Sequence, residues 1–181
     1  AEKVYRNAIR ENKSFSLMME YAQLLVNSGK HQDAVKVYES VKESFKKKLD
    51  EDSKINALLL NNFAWSLLQG TGPEKKTGLK AAKSAYDLYP NNINILDTYA
   101  TALIQNNKFK QCINLLGNNA LIQKEPQLLF HLAKAYENTK DLNNAVRNYR
   151  LIVESNTTDN KIKLGVSKAK LKKHIEKLTV K

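Results

Sequence analysis

Residues 128–152 read LLFHLAKAYENTKDLNNAVRNYRLI. Leu129, Leu132, Ala133 and Tyr136 fall at helical spacing, the polar run Asn138-Thr139-Lys140-Asp141 interrupts it, and Ala145, Tyr149 and Ile152 resume it. Apolar residues three and four apart share one helix face, so the stretch predicts two short amphipathic helices around a tight turn. Ala133 and Ala145 stand where the two helices would cross, and a methyl side chain lets the backbones approach closely. Weaker copies of this pattern recur upstream.

The small residue of the first helix returns as Ala22, Ala64, Ala100 and Ala133, at spacings of 42, 36 and 33. That of the second helix returns as Ala34, Gly78, Cys112 and Ala145, at spacings of 44, 34 and 33. Each landmark carries company: Tyr21, Leu25, Gly29 and Tyr38; then Phe63, Leu67, Ala85 and Pro90; then Tyr99, Leu103 and Phe109. A period near 34 is that of tetratricopeptide repeats, and the chain resembles that family over nearly its whole length. The resemblance implies an all-α fold, a right-handed α-solenoid of about four helix-turn-helix pairs.

The expected division is one domain over 1–181. Residues 1–13 read as the second helix of a preceding copy, with Ala1, Tyr5 and Ala8 at landmark spacing. Repeats are expected over 15–48, 54–91, 92–125 and 126–159. Residues 160–179 carry Leu164, Leu171, Ile175 and Leu178 on one face, as a capping helix that closes the array should. A chain that opens in mid-repeat is expected to be cut from a longer one. In the first repeat the second helix is expected to run on through Phe45 and Lys46-Lys47-Lys48. The acidic run Asp50-Glu51-Asp52 then precedes the next helix, where negative charge favours the free amides. In the second repeat, Gly70 to Gly78 is expected to be a long inter-helix loop.

The middle repeats narrow the resemblance. Asn62-Phe63-Ala64-Trp65, a proline-bearing segment and Asp97-Thr98-Tyr99-Ala100 are similar to motifs of bacterial repeat proteins associated with the envelope and exopolysaccharide export. This implies a bacterial scaffold, with the envelope or periplasm as its compartment and the cytoplasm next.

Composition bounds the remaining classes. With 42% hydrophobic and 27% charged residues, three prolines and six glycines, the chain has a globular make-up that favours long helices. No apolar run reaches the ~18 residues of a membrane span. The net charge is +12, and residues 160–181 hold eight lysines against Glu176, which gives +7 there and +5 elsewhere. The basicity belongs mainly to the last segment.

The candidate chemistry is thin, and the chain reads as no enzyme, with no cofactor and no metal. The Lys76-Thr77 pair follows Lys75 and not glycine, and a helix leads into it, so it does not form a phosphate loop. His31, His131 and His174 lie in different elements, with no second ligand at metal spacing. Cys112 holds a small-residue packing position.

The resemblance instead directs attention to the first helix of each pair, which in the family lines a concave groove. The positions it implies are Met19, Gln23, Val26 and Asn27; Asn61, Asn62, Trp65 and Gln69; Asn94, Asp97, Thr98 and Thr101; and Phe130, His131, Lys134 and Asn138. Trp65 sits at no core landmark, so it stands either in the groove or in the seam between repeats. The expected partner is another protein, bound as a peptide or helix. The family's clamp for chaperone tail carboxylates uses cations that this chain lacks at Met19, Gln23, Asn62, Asn94 and Thr98, so no such clamp is expected.

The second functional reading is a basic adaptor that engages an acidic partner, a lipid surface or nucleic acid through the lysine-rich terminal helix. That helix lacks the interleaved aromatics of a nucleic-acid site and the tryptophan or phenylalanine of a membrane anchor, so neither nucleic acid nor peripheral membrane contact is predicted.

Overall fold

The computed structural model describes residues 2–12, 14–119, 122, 125–155 and 166–179. Among them there is no strand. The helices are α1 (Glu2–Glu11), α2 (Phe15–Asn27), α3 (His31–Ser44), α4 (Lys46–Glu51), α5 (Ser53–Leu68), α6 (Gly72–Leu88), α7 (Ile93–Gln105), α8 (Phe109–Leu116), α9 (Pro126–Asn138), α10 (Leu142–Glu154) and α11 (Lys168–Thr179). The fold is all-α, built of helix-turn-helix repeats. Two compact units divide it, Ala1–Ala102 and Leu103–Lys181, with the boundary inside α7.

In the first unit α2 pairs with α3 and α5 with α6, α1 packs on α2, and α3 packs on α5. One apolar core joins these helices, through Tyr21, Ala22 and Leu25, Ala34 and Tyr38, Phe63 and Ala64, and Ala82. The small landmarks Ala22, Ala34, Ala64 and Ala100 are wholly buried. In the second unit α9 pairs with α10, while α8 packs on α9 and α11 on α10. Here the landmarks Cys112, Ala133 and Ala145 are likewise wholly buried.

The turns show why the period persists. α2 ends on Gly29 at φ 73°, where Lys30 N donates to Leu25 O over 2.8 Å and Gly29 N to Val26 O over 3.0 Å. α7 ends the same way on Asn107 at φ 57°, with Lys108 N donating to Leu103 O over 2.8 Å. α9 does so on Lys140 at φ 66°, with Asp141 N donating to Tyr136 O over 3.0 Å. A left-handed residue at this place satisfies the last free carbonyls and turns the chain back on itself. Side chains cap the starts. Asp52 Oδ1 accepts from Lys54 N and Ile55 N, each at 3.0 Å, and Asp141 Oδ1 accepts from Asn144 N at 3.2 Å.

Two expectations about local structure are corrected. The segment Gly70 to Gly78 is not a long loop: α6 starts at Gly72 and only a short turn precedes it. The Glu74 carboxylate explains the early start, because it accepts from Thr71 N at 2.6 Å and Thr71 Oγ1 at 2.8 Å and so closes the helix end. Proline is compatible with a first turn, since its missing N–H would have no partner there. The second correction concerns α3, which does not run on through the lysines. It stops at Phe45, and Lys46–Glu51 form the separate helix α4, anchored by the buried Leu49. Phe45 meets Phe15 edge-on at 5.5 Å between ring centres. The terminal helix starts at Lys168; Leu164 lies outside the described residues, whereas Leu171 and Ile175 are buried on α10.

Candidate interaction face

The first helices α2, α5 and the start of α7 all belong to the first unit, and their outward residues differ in what they can offer. On α2, Gln23 and Asn27 are exposed, and Gln23 Nε2 donates to Asn27 Oδ1 over 2.9 Å. Met19 and Val26 pack partly against the core and supply seam contacts as much as surface.

α5 carries two exposed large apolar side chains. Trp65 is 39% exposed and Leu58, two turns earlier on the same face, is 44% exposed. The intervening Asn62 is half-buried, and Gln69, one turn on, is exposed and donates through Nε2 to Trp65 O over 3.3 Å. Leu58, Asn62, Trp65 and Gln69 thus form one stripe at helical spacing. Asn61 turns inward. Its Nδ2 lies 3.3 Å from Asn62 Oδ1, and its Oδ1 is buried with no hydrogen-bond partner among the described residues.

On α7, Asn94 is exposed and Asp97 and Thr101 are half-buried. Thr98 does not line a surface. It is 5% exposed, and its hydroxyl donates to Asn94 O over 3.0 Å, so this candidate is withdrawn.

The α9 residues belong to the second unit. Phe130 is half-buried and meets Tyr149 of α10 edge-on, with ring centres 5.9 Å apart. Lys134 Nζ stands 5.6 Å from the centre of the Phe130 ring, and Asn138 Nδ2 donates to Lys134 O over 2.9 Å. His131 is half-buried beside Phe130. Among these candidates, Gln23 meets Asn27 on α2, Trp65 meets Gln69 on α5, and Lys134 meets Phe130 on α9.

Sequence reasoning missed Leu58. It lies in the run Ala57-Leu58-Leu59-Leu60, where continuous apolarity hides the phase of the helix, and its only signal is the seven-residue distance from Trp65. Cys112 is wholly buried, with Sγ 4.0 Å from His131 O, and burial pushes its thiol up to about 12, which keeps it protonated and unreactive at neutral pH. Among the described residues no group of three or more metal-capable side chains gathers, and no helix is long and apolar enough to cross a membrane.

Residues 126–159 match the tetratricopeptide repeat family. This segment, which contains α9 and α10, is a tetratricopeptide repeat. The helix pairs upstream repeat its design, and tetratricopeptide-type folds are what the chain resembles among solved structures. It is similar to the MamA RS-1 ArsTM double mutant, with 14% identity and a TM-score of 0.70 over 92% of this chain and 83% of that one. MamA 41-end from Desulfovibrio magneticus RS-1 gives 14% identity and a TM-score of 0.67, over 99% and 84% of the two chains. A thermophilic tetratricopeptide-repeat protein of Thermus thermophilus gives 13% and 0.64, over 99% and 89%. At these identities the likeness is one of fold. No curated protein sequence matches the chain.

Proposed function

We propose that the protein is a non-catalytic protein–protein interaction scaffold that holds a peptide or helix on the outward residues of α2, α5 and the start of α7. The observation that carries this reading is the exposure of Trp65 together with Leu58 on one face of α5. Large apolar side chains left in water two turns apart are costly unless a partner covers them, and tryptophan is among the residues most enriched in binding hot spots. Gln23, Asn27, Gln69 and Asn94 add neutral hydrogen-bonding groups suited to a peptide backbone. The setting we propose, a bacterial envelope assembly or export system, rests on the motif resemblance around Asn62 and Asp97.

The single tryptophan makes the test direct. Partners captured from lysate by the immobilised protein should be lost with Trp65→Ala/Leu58→Ser and should blue-shift the tryptophan emission when added to the wild type. Partners retained by the double variant would remove this face from consideration.

A second reading has its own observation. Lys170, Lys172, Lys173 and Lys177 are exposed on α11 while Leu171 and Ile175 anchor it, so the helix presents a basic outer surface to an acidic partner, lipid or nucleic acid. Capture that falls steeply with salt and vanishes with Lys172→Glu/Lys173→Glu would select this adaptor; capture through Trp65 should be nearly indifferent to salt.

A further inference from the structure

A cleft lies in the first unit, between α1 and α3. Its volume is about 330 Å³, and its floor is apolar: Ile9 of α1, Met18 and Tyr21 of α2, and Val37 of α3. Its rim is cationic, with Arg6 and Arg10 on one bank and Lys36 on the other. Among the described residues no carboxylate lines it.

The rim is organised and not a random scatter of charge. Arg6 Nε donates to the Tyr21 hydroxyl over 2.8 Å, which fixes this guanidinium above the floor. Arg10 stands one turn later on the same bank. The neighbouring surface of α1 adds Lys3, so Lys3, Arg6 and Arg10 form a basic stripe at i, i+3 and i+7, about 10 Å long. Two acids beside these cations are already shared among them. Glu2 lies 3.9 Å from Arg6 and 2.5 Å from Lys30, and Asp33 lies 3.5 Å from Lys36. Arg6, Arg10 and Lys36 line the cleft, and neither Glu2 nor Asp33, the acids paired with Arg6 and Lys36, is among its lining residues, so the cleft presents cations and no acid of its own.

We propose that this cleft docks an acidic segment of another protein, one that sets apolar side chains on the Met18 and Val37 floor and carboxylates against Arg6, Arg10 and Lys36. Charge complementarity argues for an acidic occupant, and the spread of cations along α1 and across to α3 suits several carboxylates on one polypeptide better than one compact headgroup. The surface is distinct from the Trp65 face: Tyr21 lies about 200° round α2 from Gln23, so the two residues point to opposite sides of that helix.

The probe is a short fluorescein-labelled peptide of glutamates with leucines at helical spacing, titrated against the whole chain and read by anisotropy. Arg10→Glu/Lys36→Glu should weaken its binding about tenfold or more, whereas the equally large charge change Lys172→Glu/Lys173→Glu on α11 should alter it less than about twofold. Ser40→Trp, which keeps every charge but fills the cleft, should weaken it several-fold, with thermal melts confirming that each variant folds. Trp65→Ala should leave it unchanged, which separates this proposal from the one for the α5 face. A peptide with serine for leucine should bind about tenfold more weakly. The proposal is overturned by no binding, by equal loss with the α11 lysine variant, by binding indifferent to the leucines, or by phosphatidylglycerol vesicles binding through Arg10 and Lys36 when the peptide does not.

Discussion

Gly78 of α6 lies directly against Ala64 of α5: a methyl group built on its Cα would stand 3.2 Å from the Ala64 carbonyl oxygen. The same group would meet Leu67 Cβ and Leu68 Cγ, also at 3.2 Å. These two small residues thus set how closely the helices of this pair cross.

Replacing Gly78 with alanine therefore brings two opposed effects. Helix propensity improves by about 1 kcal/mol, while crowding against a backbone carbonyl and two leucines costs about 1–3 kcal/mol. Because one of the three contacts is backbone, which cannot rotate aside, crowding should win. Gly78→Ala is expected to lower stability by about 1 kcal/mol in urea unfolding. An increase in stability would mean that α5 and α6 are free to separate and that close crossing is not what selects glycine here.

The α9–α10 turn offers the reverse case. Lys140 sits at φ 66°, the conformation that Gly29 adopts at the matching turn after α2. A left-handed lysine costs roughly 1–2 kcal/mol, part of which glycine returns as chain entropy in the unfolded state. Lys140→Gly should stabilise the protein by about 0.5–1 kcal/mol, whereas Gly29→Ala should destabilise it by about 1 kcal/mol. The pair is read by denaturant midpoints, and parallel shifts in the two variants would contradict the turn geometry.

These turns also mark how far sequence carries. The small landmarks Ala22, Ala64, Ala100 and Ala133 were readable because helix crossing tolerates little besides alanine at those places, and the repeat emerged from their spacing. The start of α6 was misread because glycine, proline and threonine in Gly70 to Gly78 are loop formers by composition. Only the fold-back of Glu74 onto Thr71 shows that they begin a helix. The break at Phe45 was missed because nothing in Lys46-Lys47-Lys48 opposes a helix, and what holds the end of α3 is the contact of Phe45 with Phe15. Leu58 and the Arg6–Lys36 cleft stayed hidden because both depend on which way a face turns, which a run of leucines or a mixed-charge helix does not encode.

Alkaline stability should carry the signature of Cys112. Burial raises its thiol from the ordinary 9.0 to about 12, so between these values the unfolded chain binds fewer protons than the folded one. The thiol's contribution is complete below pH 9 and is lost as pH rises towards 12, at up to about 1.4 kcal/mol per pH unit. Cys112→Ala should cost about 1 kcal/mol at pH 7 but remove the decline between about pH 9 and 10. Decline at higher pH should remain, since burial also raises Tyr38 to about 12 and Tyr149 still further. An unchanged slope in the lower part of this range in the variant would show that the thiol is not sealed from water.

Those two tyrosines give the sharpest test, because the same substitution should act in opposite directions. Both rings are buried, Tyr38 wholly and Tyr149 to 1% exposure. The Tyr38 hydroxyl has no hydrogen-bond partner among the described residues, so folding removes it from water without return. The Tyr149 hydroxyl donates to Glu137 Oε2 over 2.8 Å, and His174 Nε2 stands 3.1 Å from the same oxygen, which links α9, α10 and α11 at one carboxylate. A buried hydroxyl without a partner costs about 1–3 kcal/mol, whereas a hydrogen bond to a charged group contributes about 1.5–3 kcal/mol, less here because Glu137 keeps some contact with water. Tyr38→Phe should therefore stabilise the protein by about 1 kcal/mol, and Tyr149→Phe should destabilise it by a similar amount. Amide exchange localises the second effect: protection should fall in α11 with Tyr149→Phe and stay unchanged there with Tyr38→Phe. Loss of stability in the Tyr38 variant would place a hidden partner on its hydroxyl, and an unaffected α11 in the Tyr149 variant would separate the terminal helix from the Glu137 cluster.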